Sequence, residues 1–188
     1  VTGVQTCALP ISQFQLGNCY LEGIGVDTNY VTAINYYLMA ADQQHDEAQY
    51  KLGRCYYDGI GVDTSYVNAV QWFAEAASHD NKDAQYDLGN CYYRGYGVER
   101  DYKEAVRWFS LSADNGNARA QNTLGYCYEN GQGVEVDFNK AFEWYSKAAE
   151  MGDAQAQFNI AQYYYRGAIV PKDYVKAVEM FGKSAEQG

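Results

Sequence analysis

Leu16, Leu52, Leu88 and Leu124 stand 36 residues apart, and Ile160 continues the series. Gly17, Gly53, Gly89 and Gly125 follow one place later, and Cys19, Cys55, Cys91 and Cys127 three places after the leucines. A fixed period of this length marks a tandem array of small supersecondary units. The third copy shows what one unit is. Ala84, Leu88 and Tyr92 lie at i, i+4 and i+8, one face of a helix. The spacing predicts a helix A over 82–93, capped by Asn81, with His45, Asn117 and Asp153 in the equivalent places. Gly95 ends it as a residue able to take positive φ, and Gly97 and Val98 complete a short turn. Helix B is predicted over 102–114, with Asp101 as N-cap and Glu104 completing a capping box. Asn29, Ser65, Asp137 and Asp173 are the equivalent caps. The stripe Ala105, Phe109 and Ala113, flanked by Val106 and Trp108, is the face that helix B buries.

The glycine inside helix A costs about 1 kcal/mol relative to alanine, yet four copies keep it and the fifth has Ala161. A repeated cost implies a repeated gain. The expected gain is close approach of helix B, with the small Ala105 and Ala113 meeting the gap. Tyr20, Tyr56, Tyr92, Tyr128 and Tyr164 are in phase and expected in the core. Tyr30, Tyr66, Tyr102 and Tyr174 open helix B and are expected beneath the turn.

The repeat makes the 188 residues one continuous array rather than two small domains. Hydrophobic content of 47% is that of a globular chain. Net charge is −10: 9 acids against 3 bases over 1–82, and 15 against 11 over 83–188. The acidity is spread and forms no tail, which argues against a nucleic-acid partner, because phosphate binding needs clustered Lys and Arg. No run of 18 apolar residues occurs, so no membrane insertion is expected in this segment. The first eleven residues, 1–11, resemble a translated sequencing adapter and are set apart from the array, Cys7 with them. The array is expected over 12–188 in five copies, about 12–45, 46–81, 82–117, 118–153 and 154–188. With no polar capping repeat in view, the expectation is a fragment of a longer protein.

Candidate chemistry is sparse. Four of the five repeats hold one in-phase cysteine each, so no intra-repeat disulfide is available, and equivalent helices about 8–10 Å apart are too distant for a bridge. Small buried thiols are expected, which slightly favours a reducing compartment such as the cytoplasm. His45 and His79 have no Cys or His at helical spacing, and no C-x-x-C occurs; neither a metal site nor a cofactor is expected. Gly23-Ile24-Gly25 and its copies follow a helix rather than a strand, which fits a helix-to-helix turn and not a phosphate loop. No nucleophile is paired with a base, so an enzyme is not expected.

Ala84-Gln85-Tyr86-Asp87-Leu88-Gly89, Gly95-Tyr96-Gly97-Val98 and Asp101-Tyr102-Lys103-Glu104-Ala105-Val106-Arg107-Trp108-Phe109 resemble the Sel-one-like repeat, a relative of the tetratricopeptide repeat with a longer turn. The resemblance implies an all-α fold, a right-handed α-solenoid with helix A on the concave wall, and a role as a scaffold or adaptor in protein complexes. The last copy departs from the pattern: Ile169 and Pro171 stand where Gly and an acid are usual, so its turn is expected to differ and 166–169 to offer a local binding edge.

The variable positions of helix A then mark the binding wall. Its columns are Glu47, Asp83, Arg119 and Gln155; Gln15, Lys51, Asp87, Thr123 and Asn159; and Asn18, Arg54, Asn90, Tyr126 and Gln162. Amides such as Asn18, Asn90 and Gln162 both donate and accept, which suits an extended peptide backbone. Tyr57, Tyr93 and Tyr165 flank the stripe as aromatic anchors. The expected partner-binding residues are Asn18, Lys51, Arg54, Tyr57, Asp87, Asn90, Tyr93, Tyr126, Gln162 and Tyr165. The leading expectation is a non-catalytic scaffold holding a peptide or protein segment. A hydrolase acting on cell-wall-like or β-lactam substrates, and a rigid spacer within a larger protein, are the alternatives.

Overall fold

Ten α-helices in five pairs make up the described residues, 9–187, of a computed structural model. The A helices are α1 (Pro10–Glu22), α3 (Asp46–Asp58), α5 (Lys82–Arg94), α7 (Ala118–Asn130) and α9 (Ala154–Arg166). The B helices are α2 (Tyr30–Ala41), α4 (Tyr66–Ser78), α6 (Tyr102–Asp114), α8 (Phe138–Glu150) and α10 (Tyr174–Ala185). Most of the segment set apart as adapter-derived, Cys7 included, lies outside the described residues. Its end does not: Pro10 and Ile11 open α1.

The caps expected from sequence close the helices. Asn81 Oδ1 accepts from the Ala84 amide at 3.0 Å, and Asp101 Oδ1 from the amides of Lys103 and Glu104 at 2.8 and 3.1 Å. His45 serves the same role through its ring, accepting from the Ala48 amide at 3.3 Å. The capping box does not form. Glu104 pairs instead with Arg107 at 2.7 Å, and the Asp101 amide donates to the Tyr92 carbonyl at 3.0 Å. That last bond recurs in every pair, from Asn29, Ser65, Asp137 and Asp173 to Tyr20, Tyr56, Tyr128 and Tyr164. It straps the start of each B helix to the end of its A helix and takes the proton the box would have used.

The chain divides into two compact units, one up to Ala84 with Tyr96–Glu99, the other Gln85–Gly95 with the residues from Arg100 onward. In the first, α1 packs on α2, α2 on α3 and α3 on α4 around Ala33, Ile34, Tyr37, Ala48, Leu52 and Cys55. In the second, α6 packs on α7, α7 on α8, α8 on α9 and α9 on α10. Its cores are Ala105, Phe109, Leu124 and Cys127, and then Ala141, Tyr145, Ile160 and Tyr163. Leu52, Leu88 and Leu124 are almost fully buried, whereas Leu16 is 44% exposed. Cys55, Cys91 and Cys127 are buried thiols and Cys19 is half-buried.

A large ring, not a small side chain, occupies the gap left by the helix-A glycine. A Cβ on Gly89 would stand 2.6 Å from Phe109 Cε1, and one on Gly125 2.6 Å from Tyr145 Cδ1. The expectation that Ala105 and Ala113 fill this space is corrected accordingly; the Ala105 carbonyl is a secondary contact at 3.3 Å.

A buried glutamine column joins one pair to the next. Gln121 Nε2 donates to the Ala113 carbonyl at 3.1 Å and Gln157 Nε2 to Ala149 at 3.4 Å, so each satisfies a last-turn carbonyl of the preceding B helix.

Candidate functional site

The variable face of the A helices carries no single surface of equal openness. In the first unit most of the expected binding residues are already engaged. Asn18 Oδ1 accepts from the Tyr37 hydroxyl at 2.8 Å. Arg54 pairs with Asp58 at 2.7 Å and lies 5.3 Å from the Tyr57 ring centroid. Tyr57 is wedged among Tyr66, Phe73 and Tyr96, with centroids 5.2 to 6.2 Å away. Lys51 is half-buried.

The second unit is different. Asn90, Tyr93 and Tyr126 line one cleft of about 500 Å³ with Asn122, Gln155 and Asn159. Gln162 lines an adjoining cleft of about 460 Å³ with Phe138, Arg166 and Ile169. Glu129 and Asn159 belong to both, so the two form one groove along α5, α7 and α9. Both volumes fall in the range of about 300–1,000 Å³ usual for ligand sites.

A chain of amides lines the groove. Gln155 Nε2 donates to Asn159 Oδ1 at 3.3 Å, and Asn159 Nδ2 donates to Asn122 Oδ1 at 3.1 Å. Each amide has four hydrogen-bonding positions, so this pairing holds the groups in place and leaves others for a ligand. Tyr126 stands 45% exposed beside them. Tyr93 donates its hydroxyl proton to Gln132 Oε1 and packs edge-on against Tyr102, which makes it a wall more than a mobile anchor.

Two expected residues fall elsewhere. Asp87 is only 8% exposed, and the reading that placed it on the open stripe is corrected: it is a buried, partnered carboxylate, the state in which burial of a charge is tolerated. Tyr165 is exposed and packs edge-on against Tyr174 at 5.5 Å, outside both clefts.

Sequence reasoning missed Glu129, Tyr145, Tyr163 and Phe138 as groove residues. The Tyr145 hydroxyl donates to Glu129 Oε2 at 3.0 Å and the Tyr163 hydroxyl to Oε1 at 3.2 Å. Burial, and next the Glu129 charge, push both phenols well above the usual tyrosine range, so they remain proton donors. The signal was present in the register. Glu129 stands where Tyr57, Tyr93 and Tyr165 stand in other copies, and Tyr163 where the other four have cysteine. Ile169 replaces the second turn glycine, as expected for an altered turn. Among the described residues only Gln44 and Asp80 are non-glycine residues with positive φ, so Ile169 does not take the left-handed form of Gly97 and Gly133. Among the same residues, no three His, Cys, Asp or Glu side chains are grouped so as to hold a metal ion, and no helix is long and apolar enough to cross a membrane.

The family model described as Sel1 repeat matches five times, at residues 10–45, 46–81, 82–117, 118–153 and 154–188. Among solved structures, a Sel1 repeat protein from Oxalobacter formigenes is 35% identical with a TM-score of 0.90, covering 95% of this chain and 71% of its own. A protective antigen of uropathogenic Escherichia coli strains, described as displaying an SLR fold, is 36% identical with a TM-score of 0.88; the match covers 95% of this chain but only 38% of that one. An immunity protein from Pseudomonas aeruginosa is 20% identical with a TM-score of 0.63, over 97% of this chain and 69% of its own, a likeness of fold alone. No curated protein sequence matches the chain.

Proposed function

The chain belongs to the Sel1 repeat family, and from that premise we propose that it is a non-catalytic scaffold that holds an extended peptide segment of a partner protein on the A-helix face of its second unit. One observation carries this reading. The paired amides Gln155, Asn159 and Asn122 line the groove together with Tyr93 and Tyr126, with hydrogen-bonding capacity to spare. A peptide backbone presents alternating donors and acceptors, and a pre-ordered amide row meets them without paying for its own ordering. The exposed Tyr126 supplies the aromatic contact that concentrates binding energy in such grooves. Asn90, Tyr126 and Gln162 are therefore the expected binding residues the proposal keeps, with Asn159 and Glu129 added.

The test is a selection of short random peptides displayed on phage, followed by affinity measurement of the selected sequences. Tyr126→Ala with Asn159→Ala should weaken binding about tenfold or more, roughly 1.4 kcal/mol, at an unchanged melting temperature. Selected peptides whose affinity is indifferent to both substitutions would place binding on another surface and end the proposal.

A further inference from the structure

We propose that the cleft at Glu129 is a pocket for a basic side chain, lysine or arginine, projected from the peptide; this rests on the groove reading above and names its specificity.

Several departures from the repeat meet at this one place. Glu129, Tyr163, Ile169 and Phe138 occupy positions where most other copies have tyrosine, cysteine, glycine and tyrosine. The change at Ile169 accounts for the space. In two earlier turns, Gly97 lies on the backbone of Tyr66 and Gly133 on that of Tyr102, so close that no Cβ would fit. Ile169 carries a side chain at the same step and cannot approach the start of α8 in that way. The room between its turn and Phe138 is the cleft.

The chemistry of the cleft is that of a cation receptor. Tyr145 and Tyr163, 1% and 7% exposed, each donate one hydrogen bond to a different oxygen of Glu129. These donors fix the carboxylate in one orientation but bring no positive charge to it. Each oxygen keeps a second lone pair, and Glu129 lines the cleft. A charge-assisted hydrogen bond from an ammonium or guanidinium group is the interaction that remains to be made. Phe138 and Ile169, both exposed, offer apolar walls for the aliphatic stem of such a side chain. Asn159 and Gln162 at the same cleft can hold the adjacent backbone. The net charge of −10 favours approach of a basic partner. Arg166 shares the cleft and opposes a second cation, so it lowers the affinity the pocket would otherwise have.

The experiment uses peptides selected on the full chain from the displayed library, then made synthetically with norleucine or lysine at each basic position. One basic position should recur, and norleucine there should weaken binding to the unaltered protein about tenfold or more. Glu129→Gln keeps an oxygen for the phenols. It should lose the same factor, with no further loss from the norleucine peptide. Glu129→Asp, which draws the charge back by one methylene, should lose less, and Arg166→Ala should bind more tightly. A norleucine effect of equal size on the unaltered protein and on Glu129→Gln overturns the pocket. Peptides that lose affinity with Tyr126→Ala but share no basic position sink the pocket and leave the groove standing. Peptides indifferent to Tyr126→Ala, or a library that yields no binder, sink both.

Discussion

The ring of Phe109 occupies the space that a side chain on Gly89 would need, with Cε1 2.6 Å from where its Cβ would be. Helix A gives up helix propensity at this position so that helix B can seat a large ring against its backbone. Gly89→Ala therefore sets a gain of about 1 kcal/mol in propensity against overpacking of about 1–3 kcal/mol. The expected result is a lowered melting temperature. In a Phe109→Leu background the ring is gone, and the same substitution should become neutral or stabilising. An equal effect of Gly89→Ala in both backgrounds would show that the ring is not the cause.

Asp101 and Glu104 separate two kinds of helix start. Asp101 accepts from two first-turn amides, whereas Glu104 reaches Arg107 on the surface. Asp101→Ala should cost about 0.5–2 kcal/mol in a denaturant titration. Glu104→Ala should cost no more than an exposed helical ion pair, about 0.3–0.5 kcal/mol. Equal losses would mean that a reciprocal box exists in solution.

Register explains why so much of the fold was legible. A residue that recurs five times in one phase reports a position in the packing, so the spacing alone places helix B at Tyr102–Asp114, its bounds in the fold, and marks nine cap residues. What a position touches is a different matter. Gly89 announced a close approach but not the ring that makes it, because a glycine records only what is missing. Leu16 shares the phase of Leu52 yet stays exposed, so phase alone does not fix burial. The groove was read from variable positions as if variability meant exposure. Asp87 varies and is buried; Glu129 varies and was passed over, because its oxygens meet Tyr145 and Tyr163 only when α7, α8 and α9 come together.

Alkaline stability should follow the buried thiols. Burial pushes the Cys127 thiol up to about 12 and, against the lowering effect of Lys51, the Cys55 thiol up to about 11; the unperturbed value is 9.0. Both folded values lie above the unfolded one, so the folded chain holds these protons more tightly. The contribution is complete below pH 9 and is lost as pH rises through about 11 and 12. Once the unfolded thiol is ionised, each site should remove about 1.4 kcal/mol of stability per pH unit. Tyr37, Tyr145 and Tyr163 are shifted in the same sense from 10.0, so the thiols are read most cleanly at about pH 9 to 10. Urea midpoints measured across that interval should fall, and should fall less steeply for Cys55→Ala with Cys127→Ala. Parallel slopes would assign the effect to other groups.

The glutamine column predicts a stabilising change. Gln13, Gln85 and Gln157 each accept at Oε1 from a side-chain amide thirty residues on: Gln43 at 2.7 Å, Asn115 at 3.0 Å and Gln187 at 2.9 Å. In the other two copies that later position holds His79 and Met151, and among the described residues Gln49 Oε1 and Gln121 Oε1 are buried with no hydrogen-bond partner. A buried acceptor without a partner costs about 1–3 kcal/mol, and a restored hydrogen bond contributes about 0.5–1.5 kcal/mol. Met151 is exposed just past the end of α8, so replacing it sacrifices little packing. Met151→Gln should therefore raise the melting temperature by supplying the amide that Gln43 and Gln187 supply elsewhere. The gain should vanish when Gln121→Leu removes the acceptor. A gain that survives Gln121→Leu would have to come from the helix end itself, and the column would not be a set of paired amides.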